Sequence, residues 1–95
     1  MDRAEAAIEL DAAGWTGKSD FYVAYCTATA APAWFGNNLD ALNDSLRGGI
    51  CGVTPTKIVV RNLTRGVRAR LTKDFWTAVV EICEESDVEL VVSDD

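Results

Sequence analysis

Three short apolar runs separated by helix-type segments constrain the fold of this chain more than any other feature. The runs lie at residues 7–11 (AIELD), 57–61 (KIVVR) and 88–92 (VELVV). The middle run has three consecutive apolar residues between charges, which is typical of a central strand. The element order β-α-α-β-(α)-α-β predicts a small parallel sheet with helices as crossovers. At 95 residues the chain is expected to form a single domain, 1–95.

Helix signals fill the segments between the predicted strands. Ser19, Asn38 and Thr72 are the expected N-caps of three helices. The basic segment 65–70 is predicted to be a helical turn or a loop. Apolar residues at three- and four-residue spacing predict the inward faces. These are Phe21, Ala24, Tyr25 and Ala28; Leu39, Leu42 and Leu46; and Phe75, Trp76, Val79, Val80, Ile82 and Cys83.

Composition excludes several classes of function. The formal net charge is −6 and there is no histidine. An acidic chain is a poor nucleic-acid binder, and the usual neutral-pH general base is absent. The cysteines, Cys26, Cys51 and Cys83, are isolated and odd in number, which indicates reduced thiols. With no signal peptide and no long apolar segment visible, we expect a cytoplasmic protein with no membrane contact and no cofactor.

The segment 32–46, PAWFGNNLDALNDSL, carries the most functional information. Asp40 and Asp44 are one helical turn apart on the face opposite the leucines. Like charges at this spacing repel by roughly 0.2–0.5 kcal/mol. The pair follows two aromatic residues, Trp34 and Phe35, of which Trp34 is expected to point outward. An unfavourable charge pair on an exposed face predicts a surface that meets a positively charged partner.

The segment SDFYVAYCTATAAPAWFGNNLDALNDSLRGG resembles the barstar family of intracellular inhibitors of secreted ribonucleases. The match runs without a gap from Ser19 through Gly48, and the three strand runs agree in pattern. The resemblance implies an α/β, two-layer fold, with a three-stranded parallel sheet and three to four helices on one side. It also implies a one-to-one complex with a microbial guanyl-specific ribonuclease, and a free protein that is monomeric. The predicted partner-binding residues are Trp34, Gly36, Asn37, Asn38, Asp40, Asn43, Asp44, Arg47, Gly48 and Glu81.

The chemistry of such a complex assigns roles to these residues. Asp44 is expected to replace an RNA phosphate against arginine, with Asp40 on an adjacent cation and Trp34 as an aromatic anchor. Before binding, Arg47 is expected to pair with Asp44. Glu81 and Glu84 are predicted to extend the acidic surface.

The chain departs from the family pattern at several positions. Asn43 and Asn37 stand where the family has tryptophan and glutamate, and Gly49 stands in place of an aromatic residue. The segment 61–74 is shorter, so a reduced or absent third helix is expected.

Other functions compete with this interpretation. One is a small enzyme, in which Asp40 and Asp44 bind Mg²⁺, although neither a GxGxxG motif nor a P-loop occurs. Another is a barstar-like protein-interaction or immunity module for a different toxin or nuclease. A further interpretation is that the acidic residues only form solvated helix faces. In that case Asp40 interacts with the dipole of its own helix.

Overall fold

The computed structural model describes residues 6–32, 36, 38–48 and 52–95. It confirms the predicted order of strands and helices. Within the described part of the chain, no helix has the length and hydropathy required to cross a membrane. The elements are β1 (Ala7–Asp11), α1 (Lys18–Thr29), α2 (Leu39–Leu46), β2 (Lys57–Arg61), α3 (Arg65–Leu71), α4 (Lys73–Glu85) and β3 (Glu89–Val92).

The three strands form one parallel sheet in the order β1-β2-β3. Side chains of β1 alternate, so that Ile8 and Leu10 are buried while their neighbours are exposed. In the register, Ile8 lies beside Ile58, and Ile58 beside Leu90. This alternation places the apolar face of the sheet against the core and leaves the other face to solvent. The predicted three-stranded parallel sheet is confirmed, and the described part of the chain has four helices, the upper end of the predicted three to four.

An aromatic cluster forms the centre of the core. Phe21 is 1 % exposed, and its ring centroid lies 5.6–6.1 Å from four other rings. The predicted inward position of Trp76 is confirmed, and Trp15 is buried as well. Because aromatic pairs contribute more than their buried area alone, this cluster fixes α1 against α4. The four rings around Phe21 belong to Trp15, Tyr22, Tyr25 and Phe75.

One prediction about a helix end is wrong. The first helix begins at Lys18 with Gly17 as N-cap, so Ser19 lies inside it and does not cap it. Asp20 accepts hydrogen bonds from the backbone N–H and the hydroxyl of Thr16, at 2.7 and 3.1 Å. These bonds stabilise the carboxylate and lower the pKa of Asp20. They connect the chain before the helix to its first turn, and α1 therefore begins earlier in the chain than the sequence predicts.

The third helix, expected to be reduced or absent, is present as a short helix. α3 has seven residues and is capped by Thr64, whose hydroxyl accepts from the Val67 N–H at 3.3 Å. Val67 and Leu71 are buried, so the basic segment has an apolar side that packs into the core. The many arginines of this segment obscured a short amphipathic helix.

Several residues predicted to face inward lie at the margin of the core. They are half-buried and pack against fully buried neighbours. The inward direction is therefore confirmed, but their burial is incomplete. These residues are Ala24, Ala28, Leu39, Val80 and Ile82; Cys26 on α1 is half-buried as well.

Cys83 provides a test of the packing of α4. Burial, with a smaller contribution from Glu84, raises the pKa of this thiol from near 9 to about 11. At pH 8 its thiolate population falls roughly a hundredfold below that of an exposed cysteine. We expect Cys83 to resist iodoacetamide in the native protein and to react in guanidinium, as measured by peptide mass spectrometry. Equal alkylation rates in the two conditions would contradict its burial.

The same pKa shift makes stability depend on pH. The folded state favours the protonated Cys83 thiol, so its contribution is complete below pH 9 and is lost as pH rises through 11.

Candidate functional site

The second helix begins at the N-cap that the sequence predicts. The Asn38 side-chain oxygen accepts a hydrogen bond from the Ala41 backbone N–H at 2.8 Å. This bond satisfies one of the free donors in the first turn. On the inward side, Leu42 and Leu46 are both fully buried. The cap and the two leucines together fix where α2 starts and which face it presents.

A buried hydrogen bond attaches α2 to α1. The Tyr25 hydroxyl and the Ser45 hydroxyl are 2.6 Å apart, and both residues are 0 % exposed. Ser45 also donates to the Leu42 carbonyl at 2.8 Å. Sequence reasoning missed this pair, although Ser45 lies three residues after Leu42 on the inward stripe. A polar residue within that stripe was the available signal.

Tyr25→Phe is expected to destabilise the protein by about 0.5–1.5 kcal/mol, because it removes one buried hydrogen bond. Ser45 still donates to Leu42 in this variant, so no buried hydroxyl is left without a partner. The measurement is a double-mutant cycle with Ser45→Ala in urea unfolding. Strictly additive effects would contradict a direct contribution from the bond between the two hydroxyls.

Both acids of α2 are exposed. Asp40 lies in the first turn and Asp44 one turn later, as the sequence predicts. The expected ion pair between Arg47 and Asp44 is not formed. Within the described residues the one ion pair joins Arg61 to Glu9 at 3.1 Å, on the strands. Both carboxylates of α2 are therefore open to a partner.

An open depression lies beside Asp40. It has a volume of about 280 Å³ and lies where α1, α2 and α4 meet. Tyr22 and Phe75 contribute aromatic surface, and burial raises the pKa of the Tyr22 hydroxyl. Lys18 supplies a positive charge on the side of α1. No local pattern in the sequence indicates that these three residues lie next to Asp40. The full lining is Lys18, Tyr22, Asn38, Leu39, Asp40 and Phe75.

Asn43, Gly36 and Gly48 have structural explanations as well as predicted binding roles. Asn43 is half-buried, and its side-chain oxygen is buried with no hydrogen-bond partner. A Cβ at Gly36 would lie 2.8 Å from the Asn38 side-chain nitrogen, so a larger residue would disturb the cap. Gly48 has φ 102°, a conformation that side chains disfavour. Contacts of these residues with a partner stay predictions.

The remaining predicted site residues divide into two groups. Trp34, Phe35 and Asn37 lie outside the described residues, as do Gly49 and Cys51. Glu81 and Glu84 are exposed on α4, the helix that packs against α2, and their part in the acidic surface stays a prediction. Among described residues, no three His, Cys, Asp or Glu side chains are grouped closely enough to hold a metal ion.

The fold and this surface define a small α/β domain that presents an acidic helix on a fixed scaffold. Residues 5–93 match the model of the family described as Barstar (barnase inhibitor). The chain therefore belongs to the barstar family, a family of inhibitor domains and not of catalytic ones. No protein with a curated description matches the chain.

Proposed function

We propose that this protein inhibits a microbial guanyl-specific ribonuclease by inserting α2 into its active site. The complex is one-to-one, and the inhibitor acts in the cytoplasm of the cell that makes the enzyme. The free inhibitor is a monomer. Membership of a family described as barnase inhibitors supports the kind of partner. The exposed, unpaired carboxylates of Asp40 and Asp44 support the mode of binding.

The physical basis is the likeness of a carboxylate to a phosphate. A ribonuclease holds its substrate phosphodiester with arginine and lysine in a cleft. A carboxylate accepts the same charge-assisted hydrogen bonds, and arginine binds it in a two-pronged geometry. In this proposal Asp44 takes the phosphate position and Asp40 binds a neighbouring cation. Trp34 and Gly36, in the segment before α2, contribute apolar contact and close backbone approach.

The anchoring of α2 supports this mode of binding. Leu42, Leu46 and the Tyr25–Ser45 bond hold the helix on its inner side, and the acids point outward. A helix that is already ordered loses little conformational entropy on binding, which favours affinity. The depression beside Asp40 offers room for a side chain of the enzyme next to the charged pair.

A titration tests the proposal. Increasing amounts of the protein are added to guanyl-specific ribonucleases while RNA cleavage is followed. We expect cleavage to stop at one equivalent, with association that slows as salt rises, because the attraction is electrostatic. Bovine serum albumin at the same concentrations is the control for nonspecific loss of enzyme. Full cleavage at a tenfold excess of inhibitor, with all candidate enzymes, would contradict the proposal.

Asn43 favours a second candidate, a module of the same family that binds a different toxin or nuclease. Asn43 stands where the resemblance leads us to expect tryptophan, and it is half-buried with its oxygen turned inside. A large apolar contact is therefore absent from the centre of the proposed surface. If guanyl-specific ribonucleases are not retained on the immobilised protein at low salt while another nuclease is, this second candidate is favoured.

A further inference from the structure

A groove with positive charges on its rim lies between α3 and α4. Its volume is about 440 Å³. Only Thr72 separates the two helices, and its φ of 72° forms the sharp turn between them. Thr72 also caps α4 by accepting from the Phe75 N–H at 3.2 Å, which fixes the angle of the turn. The lining residues are Arg65, Arg68, Ala69, Lys73, Trp76 and Thr77.

The charges of this groove have no internal partner. Arg65, Arg68 and Lys73 are exposed, and within the described residues none of them forms an ion pair. Arg70 differs, because it donates to the Trp15 carbonyl at 3.2 Å. Among the described residues that line the groove, none is acidic. In a chain of net charge −6, three unpaired cations around one groove form a local surface of opposite sign.

The floor of the groove is apolar. Trp76 and Ala69 line it, and Trp76 is 8 % exposed. An occupant that fits must therefore combine apolar side chains with negative charges.

We propose that this groove binds an acidic, amphipathic peptide segment of a partner protein. Aliphatic side chains of the segment lie on Trp76, and its carboxylates bind Arg65, Arg68 and Lys73. A single-stranded nucleic acid fits less well, because base stacking needs an open ring face, whereas an aliphatic side chain can pack on the small part of Trp76 that is exposed. The chain's net negative charge also opposes a long polyanion. The inference does not depend on the ribonuclease proposal, since α2 contributes no residue to the groove.

Fluorescence anisotropy tests the proposal. The probe is a fluorescein-labelled twelve-residue peptide of alanine, leucine and four glutamates, compared with its glutamine counterpart. We expect the glutamate peptide to bind at low salt and the glutamine peptide to bind at least about tenfold more weakly. Each lost charge pair weakens binding by up to about fivefold. Arg65→Gln/Arg68→Gln removes two such pairs and therefore weakens binding by up to about 25-fold, while Lys57→Gln, away from the groove, changes it less than about twofold.

Thr77→Glu provides an independent variant, because it places a carboxylate in the groove at an exposed position. It is expected to weaken peptide binding by a similar factor, with circular dichroism confirming that each variant is folded. The proposal is overturned if the folded protein does not bind the glutamate peptide at about 1 mM. Equal weakening by Lys57→Gln, which indicates only general attraction, also overturns it.

Two further outcomes would replace the proposed occupant. A fluorescein-labelled ten-nucleotide oligoadenylate that binds more tightly than the peptide, and is released by Arg65→Gln/Arg68→Gln, would identify a nucleic-acid site. Self-association in sedimentation equilibrium that the same variant abolishes would identify a second copy of this chain as the occupant.

Discussion

Replacing Asp44 with alanine is expected to weaken the complex with the inhibited ribonuclease by about 2–5 kcal/mol. This loss is typical when one partner of a buried, hydrogen-bonded charge pair is truncated, and complexes of the barstar family are themselves an example. Truncating Asp44 leaves the arginine of the enzyme desolvated without its counter-charge. Most of the change should be in the dissociation rate, as measured by surface plasmon resonance. The stability of the free protein should change little, since Asp44 is exposed and forms no ion pair within the described residues.

Asp94→Ala is the matched control for this experiment. It removes one exposed carboxylate and one negative charge, but Asp94 lies after β3 and outside the proposed surface. We expect it to change the association rate slightly and the dissociation rate not at all. A loss of less than about 1 kcal/mol for Asp44→Ala, or an equal loss for both variants, would mean that Asp44 does not replace a phosphate.

Replacing Phe21 with alanine is expected to destabilise the fold by about 3–5 kcal/mol. Phe21 is 1 % exposed and contacts four aromatic rings, so its removal leaves a cavity that rigid neighbours cannot fill. One of those neighbours is Tyr25, which holds α2 through Ser45. The free energy of unfolding is measured by urea denaturation, with the midpoint and slope compared to those of the wild type.

Val23→Ala on the same helix is the control for Phe21→Ala. Val23 is 62 % exposed, and its truncation should change the free energy of unfolding by no more than about 0.5 kcal/mol. If Phe21→Ala and Val23→Ala destabilise the protein equally, the aromatic cluster does not form the centre of the core.

The strands and the capped helices could be predicted from sequence because their signals are local. The limits predicted for the first two strands agree with β1 and β2, and Asn38 and Thr72 cap the helices that they were expected to cap. Short alternating runs and side-chain caps depend on neighbouring residues only, so a single sequence reveals them. The prediction that Ser19 caps the first helix is wrong, because the hydrogen bonds from Thr16 to Asp20 start the helix earlier.

Of the candidate site, only the exposed face of α2 could be predicted from the sequence. Exposure of Asp40 and Asp44 follows from helical spacing and is confirmed. The Tyr25–Ser45 bond joins residues 20 positions apart, and the depression brings Lys18 close to Phe75, which is 57 positions away. Contacts between residues so far apart depend on the tertiary fold and leave no local pattern in the sequence. The groove between α3 and α4 was not predicted for a similar reason. The segment 65–70 was expected to be a helical turn or a loop, and neither presents a helix face that could line a groove.

A crystal structure of the protein bound to a guanyl-specific ribonuclease is the most direct measurement of the central claim, that aspartates of α2 occupy the place of RNA phosphate. We predict that the Asp44 carboxylate accepts hydrogen bonds at about 2.7–2.9 Å from arginine or lysine in the active site of the enzyme. Asp40 should lie on a neighbouring cation in the same cleft. A complex in which Asp40 and Asp44 both face solvent, or in which another surface of the inhibitor fills the cleft, would contradict the account.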